Sequence, residues 1–550
     1  MFLGDVLGPF QFKVDTIDDN MEGTMIILHP AHAAVSHRGA LASAPLRAMR
    51  EVELPSVFSR AVTAPMALGA VALSRSAGAR RMRRNRRPEV VKSFPRRAAR
   101  AHATCACRAS GAEWVAGEQD DREFQSEEEY LKSLELQGAL PGGFRLASSS
   151  LKFVPQEAQE MGELPMKLTV ICLEDPTDQV AATFTQNAFP GAPVKLGRQR
   201  LREKQKIQAL VVNNKISNVS PPDADGGIMA SQRICDELAK NLQLPSGNCV
   251  LPSSTGVIGW RLPVDEMVAA LPALEDLSSS PALEAAKGIM TTDRYPKLAA
   301  RELANGARLV GIAKGAGMIE PNMATMLCFL MTDAKLSPDE MQQFLSEAVS
   351  ESFNAISVDG DESTSDTTVL ISSGHIDGVP PSVFRQALRE LCRDLAAQVV
   401  RNGEGTQHVI RVTVKGAEDQ EMAKKVGKAV VNGPLFKSAV AGNDPNVGRL
   451  IGKVGQTLGA SGAVMAEGCV CKIGGETIFE DGQFRLDTEK ERRLSGHLKF
   501  AAANCDLPYP EHRRVVDVEV ILGGGGSGTA VVLGSDLTTE YVKINADYRS

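Results

Sequence analysis

From Gly143 onward, apolar residues fall into patterns that predict folded elements. Residues 170–173, 181–184 and 209–212 are short runs rich in β-branched, aromatic or small apolar residues and read as strands. Residues 228–242 and 264–271 read as helices. Between Thr325 and Thr332 the chain is continuously apolar, the pattern of a strand buried on both faces. A helix start follows. Ser337 suits an N-cap, Pro338 suits the first turn, and Glu340 completes a capping box. Met341, Phe344, Leu345, Ala348 and Val349 then form one apolar stripe. A second amphipathic helix is predicted over 383–400, with Phe384, Ala387, Leu388, Leu391 and Leu395 on one face, and a strand over 408–414. Strands alternating with helices give an α/β fold class.

Three segments interrupt these patterns. Residues 310–318 carry glycines at 311, 315 and 317, so a loop there can turn tightly and approach a ligand closely. Thr325 then sits where that loop enters the buried strand, at the floor of any pocket the loop lines. Residues 358–366 superficially resemble a calcium loop, but Thr364 replaces the sixth-position glycine and Leu370 the final glutamate. A hydrogen-bonded turn is the expectation. Residues 523–528 form a glycine cluster without the Gly-Lys-Ser/Thr ending of a phosphate loop, and read as a mobile hairpin.

Charge divides the 550 residues unevenly. Residues 1–110 hold 17 Lys+Arg against 8 Asp+Glu, whereas the whole chain has a net charge of −6. From residue 54 to 110 the only acid is Glu89. An Arg-rich, Ala/Ser-rich, acid-poor leader of this kind is the composition of an organelle transit peptide, removed before the fold matters. A plastid is the expected destination and a mitochondrion the alternative. A basic tail on nucleic acid is the competing reading, but interleaved aromatics are lacking. Residues 111–142 are an acidic linker or surface helix. The longest apolar candidate, 61–73, is too short for a membrane span and carries a proline. Neither a nucleic-acid nor a membrane partner is expected.

The scarcity of histidine limits the chemistry. Only His375, His408, His497 and His512 follow residue 110, and none lies in a segment that looks like a site. The cysteines show no Cys-x-x-Cys pair and no metal-ligand spacing, so free thiols and no metal are expected.

One segment is recognisable. Gly311-Ile-Ala-Lys-Gly-Ala-Gly-Met-Ile-Glu-Pro-Asn-Met-Ala-Thr-Met-Leu327 closely resembles the self-cleaving signature of the ornithine acetyltransferase (ArgJ, glutamate N-acetyltransferase) family. Seven further blocks match in order. They include Thr183-Phe-Thr-Gln-Asn187, Ser254-Thr-Gly-Val-Ile-Gly259, Ile289-Met-Thr-Thr-Asp293, Gly403-Glu-Gly405 and the run from Tyr541 to Ser550. The resemblance covers about residues 143–550. The chain departs from it at Asn213-Asn-Lys-Ile-Ser-Asn218, where the family carries Asn-Ser-Gly-Asn-Ala-Asn. It departs again at Ser363-Thr-Ser-Asp366 and at Asn446-Val-Gly-Arg449.

The resemblance implies two layered α/β domains of DmpA/ArgJ-like type. It also implies self-cleavage between Ala324 and Thr325, giving an α chain (143–324) and a β chain (325–550) assembled as α2β2. Thr325 is then the nucleophile, and its freed α-amine the base. A threonine hydroxyl needs such a base, and an α-amine with a reference pKa of about 7.7–8.0 is suited to the task. Thr255 and Gly256 match the oxyanion hole. Thr291, Lys314, Thr325, Glu404, Asn545 and Ser550 match substrate-binding positions, with Lys314 suited to the α-carboxylate and Glu404 to a side-chain ammonium. The implied reaction is ping-pong transfer of acetyl from N2-acetyl-L-ornithine to L-glutamate in cyclic arginine biosynthesis, without cofactor. Some members also take acetyl-CoA as a co-substrate for N-acetylglutamate synthesis. The alternatives are a different N-terminal-nucleophile aminopeptidase or amidohydrolase, and an uncleaved binding protein.

Overall fold

Three β-sheets carry the described residues. They are seen in a computed structural model that describes residues 123–320, 326–463, 465 and 468–547. The first sheet contains β1 (Phe144–Phe153), β2 (Leu164–Thr177), β4 (Ile207–Asn213) and β5 (Val250–Ser254), in the order β1-β2-β4-β5. The second contains β3 (Val180–Phe184), β6 (Lys297–Glu302), β7 (Arg308–Lys314), β8 (Leu327–Ala334) and β10 (Thr367–Ile376), in the order β3-β10-β8-β7-β6. The third holds β9 (Ile356–Ser357), β11 (Val409–Ala417), β12 (Val470–Ile473), β13 (Glu476–Glu480), β14 (Gln483–Phe484), β15 (Val516–Ile521) and β16 (Gly528–Ser535). Its order is β14-β13-β12-β15-β11-β16-β9.

The first two sheets stack face to face. Leu146, Ile171, Leu210 and Val212 of the first share one core with Val310, Ile312, Phe329 and Met331 of the second. The outer face of the second sheet buries Leu309, Cys328 and Leu330 against α6 (Pro338–Glu351) and α7 (Pro381–Arg401). The outer face of the first packs on α3 (Ile228–Asn241) and α4 (Val264–Ala270). The result is a four-layer helix–sheet–sheet–helix body. Around it lie α1 (Glu127–Gln137), α2 (Ala192–Arg202) and α5 (Leu283–Gly288). The third sheet packs on α8 (Gln420–Val431), α9 (Pro434–Ala441), α10 (Val447–Ala460) and α11 (Thr488–Ala501). The terminal helix is α12 (Thr539–Asp547).

Strand β8 shows why this order holds. All eight of its residues are buried. They alternate between the two cores, Cys328 and Leu330 toward α6 and α7, Phe329 and Met331 toward the first sheet. Each such side chain contributes roughly 1.5–3 kcal/mol by leaving water. The helix that follows has its full capping box, Ser337 with Glu340, and buries the five residues of the predicted stripe.

Two expectations need correction and a third resolves between its alternatives. Most of the glycine-bearing segment 310–318 is strand β7, which ends at Lys314; only the residues after it form loop. The glycine cluster at 523–528 is not a hairpin turn. β15 and β16 do not pair with each other; both flank β11, parallel and antiparallel, so the cluster is a crossover. Of the two readings of the acidic stretch after residue 110, the helix is the one observed: it includes α1, where Tyr130 is buried and its hydroxyl donates to the Pro296 carbonyl at 2.7 Å.

The expected cleavage point lies between two paired strands. β7 and β8 are antiparallel neighbours, with Lys314 opposite Leu327. The segments on either side of residues 324 and 325 therefore share one sheet.

Candidate active site

A cavity of about 160 Å³ opens at the ends of β5, β7 and β8. Thr255, Gly256, Thr291, Lys314, Glu404 and Asn545 all line it. Six residues matched from the sequence thus converge from five segments. Ala324, Thr325 and Ser550 lie outside the described residues. Met326, the residue after Thr325, is on the cavity wall. The connection is anchored on both sides of 321–325. The Glu320 carboxylate is held by Ser357 Oγ at 3.0 Å and by Asn432, and the Met326 carbonyl accepts from Thr367 N at 3.0 Å.

The oxyanion corner is built by the loop after β5. Thr255 N donates to the Asn213 carbonyl at 3.1 Å, and Val257 N to the Lys215 carbonyl at 3.0 Å. Between them, Gly256 has φ +122°, and a Cβ there would stand 2.1 Å from the Lys215 carbonyl oxygen. Only glycine fits. Among the described residues no acceptor takes the Gly256 N–H. Thr255 Oγ1 accepts from Lys314 Nζ at 3.2 Å, which leaves its own proton free to donate. Two donors on one corner are what a developing oxyanion requires. The departure at Asn213 to Asn218 does not disturb this corner. Lys215 lies outside the left-handed region, so no glycine is needed there.

A fully buried ion pair backs the cavity. Asp293 accepts from Thr291 N at 2.9 Å, from Gly315 N at 2.8 Å and from Lys297 Nζ. Burial disfavours its charge, but the ammonium groups of Lys297 and Lys314 prevail and hold the carboxyl well below the usual range.

Glu404 makes another part of the lining acidic. Glu404 is 9% exposed and accepts from Asn545 Nδ2 at 2.8 Å. This contact, with Tyr541 OH to Asp359 at 3.3 Å, ties α12 to the site. Gly317 packs so closely that an added Cβ would lie 2.4 Å from Glu404 Oε2. The turn at 358–366 is hydrogen-bonded as expected, Asp361 N donating to Asp359 Oδ1 at 3.4 Å and Ser365 N to Ser363 Oγ at 3.2 Å; Asp359 also accepts from Met318 N at 2.7 Å and Ile319 N at 2.8 Å.

Sequence reasoning missed part of the lining. Ser363, Thr364, Ser365 and Asp366 form one wall, and the Ser365 hydroxyl has no partner among the described residues. Burial pushes the Asp366 carboxyl well above its ordinary range, against the pull of Ser363 and Lys314. The resemblance aligned this segment but assigned it no role, and a polar turn before a strand does not by itself distinguish lining from surface. Lys297, inside strand β6, gave none either. None of the four described histidines lines the cavity.

The described cysteines are free thiols, all but Cys505 buried. Among the described residues no group of three or more His, Cys, Asp or Glu is placed to hold a metal ion.

Residues 158–550 match the model of the ArgJ family. The chain belongs to that family. A relative from Nitratidesulfovibrio vulgaris, the arginine biosynthesis bifunctional protein ArgJ, is 36% identical over 420 residues, 75% of this chain and 100% of its own length. The glutamate N-acetyltransferase of Methanosarcina mazei is 38% identical over 394 residues, 70% of this chain and 94% of its own. The crystal structure of the ArgJ protein of Bacillus halodurans shares 34% identity, covers 40% of this chain and 98% of that chain, and has a TM-score of 0.35. The α/β fold class read from the sequence is that of the family.

Proposed function

We propose that the chain is a glutamate N-acetyltransferase of arginine biosynthesis, moving acetyl from N2-acetyl-L-ornithine to L-glutamate through an acetyl-threonine on Thr325. Membership of the ArgJ family and the names of its relatives support the acyltransferase activity. One observation carries the mechanism: the Gly256 N–H, uncommitted among the described residues, and the Thr255 hydroxyl meet Lys314 and Glu404 at one cavity, whose wall includes the neighbour of Thr325.

Self-cleavage between Ala324 and Thr325 frees the Thr325 amine. That amine takes the proton of its own hydroxyl as Oγ attacks the acetyl carbonyl. The oxyanion is held by Thr255 and Gly256. As the C–N bond breaks, the proton passes to the departing ornithine amine. Glutamate then attacks the acetyl ester with its α-amine, the ester bond breaks, and Oγ recovers its proton through the Thr325 amine. Lys314 meets the carboxylate common to both substrates, and Glu404 meets the ornithine side-chain ammonium. Pairing of β7 with β8 keeps the two fragments together. Plastid delivery by the basic leader and α2β2 assembly complete the reading.

Mass spectrometry of the purified mature protein tests it. Two fragments are expected, one beginning at Thr325, and Thr325→Ala should remain a single chain without transferase activity. Separate assays score transfer to glutamate from acetylornithine, transfer from acetyl-CoA, and hydrolysis. Full-rate transfer by uncut protein overturns the mechanism; hydrolysis alone favours an aminopeptidase or amidohydrolase.

A further inference from the structure

The ion pair behind the cavity is hard to explain as a stabilising device. The side chains of Asp293 and Lys297 are both fully buried. Replacing such a pair by apolar residues is often neutral or stabilising. Its surroundings point to the cavity instead. Asp293 takes the N–H groups of Thr291 and Gly315, and Lys297 Nζ reaches Asn402 Oδ1 at 2.5 Å. Each contact adjoins a residue assigned to substrate: Thr291 itself, Lys314 before Gly315, and Glu404 just beyond Asn402. A second ammonium, that of Lys314, also lies in the field of Asp293. Among the described residues Lys314 nevertheless makes no ion pair, and its Nζ donates to Thr255 instead. Two lysines compete for one carboxylate, and only Lys297 holds it.

We propose that Lys297 is a positioning residue: by occupying Asp293 it leaves the ammonium of Lys314 directed into the cavity for the carboxylate of the amino-acid substrate. Without Lys297, the buried Asp293 carboxylate draws Lys314 inward, and the charge meant for substrate is neutralised inside the protein. The inference rests on the reading that Lys314 meets the substrate carboxylate.

The test compares N-acetylornithine with its α-carboxamide analogue. In Lys297→Met the KM for N-acetylornithine should rise on the order of 10- to 100-fold, with a smaller change in kcat. The KM for the carboxamide should stay as in the wild type. Adding Asp293→Asn removes the competing carboxylate and should restore most of the lost affinity. A crystal structure of Lys297→Met should show Lys314 turned onto Asp293. An equal rise for both substrates, a double variant no better than the single, or Lys314 still on Thr255 overturns the proposal. If Lys297→Met does not fold, Lys297→Arg and Asp293→Asn carry the test. Both should keep the preference for carboxylate over carboxamide, and loss of it in either is equally fatal. A wild type that ignores N-acetylornithine sinks the functional reading instead. The orientation of Lys314 in the variant crystal then still decides the structural claim.

Discussion

The body around the cavity and the lobe of the third sheet bury polar groups in different ways. In the lobe, buried polar chemistry closes on itself. His408 Nδ1 meets Asp536 at 2.8 Å, and Nε2 meets Asn443 at 3.3 Å. Among the described residues, every buried side-chain polar atom without a partner lies before residue 407. Most of these, such as Ser149 on β1, belong to residues outside the cavity lining; Ser365 alone among them lines it. Among the described residues the Gly256 N–H is unspent in the same place. An unmade hydrogen bond in a buried position costs about 1–3 kcal/mol; at Ser365 a ligand in the cavity would supply the missing partner. The contrast marks the body, not the lobe, as the part with buried polar capacity to spare.

The strongest way to break the contrast is at Gly256. Alanine there meets the Lys215 carbonyl and must displace the loop that carries Thr255. Losing one oxyanion donor lowers kcat by roughly 10²–10³. Steady-state acetyl transfer by Gly256→Ala should show that loss, with circular dichroism confirming a folded body. Wild-type kcat would remove Gly256 from the oxyanion corner.

Gly317 sharpens the same point at lower amplitude. Its backbone is outside the left-handed region, so alanine is conformationally tolerated. The added Cβ instead collides with the end of the Glu404 side chain, which can move. The expected result for Gly317→Ala is a rise in KM for N-acetylornithine on the order of tenfold, with little change in melting temperature. An unchanged KM would show that Glu404 does not contact that substrate.

How much of this was legible depended on what each segment had to satisfy. β8 and α6 were readable because burial on two faces and a capping box impose patterns on neighbouring residues. The crossover at 523–528 was not, because its glycines serve a connection around β11, and pairing order is not written in local composition. At the site, Thr255, Gly256, Thr291, Lys314, Glu404 and Asn545 came from resemblance rather than pattern; the fold then brought them to one cavity. Lys297 and Asp366 were invisible for a related reason. Their meaning lies in interactions between segments distant in sequence: Lys297 hydrogen-bonds Asn402, and Asp366 lies in the electrostatic field of Lys314.

The lobe supplies the smallest effect and the control. Ile478, on β13, is fully buried in a core it shares with Cys471, Ile473 and Leu494. Ile478→Val removes one methylene, and typically about 0.5–1.5 kcal/mol of stability follows. Urea denaturation should register that shift at an unchanged slope, because no additional surface is exposed. KM and kcat should match the wild type within error, since no lobe side chain from β12 to β15 lines the cavity. A tenfold fall in kcat would mean that packing in the lobe sets the geometry of the site. The division between scaffold and site would then have to be redrawn along the route that couples them, beginning where Lys437 donates to the Val358 carbonyl.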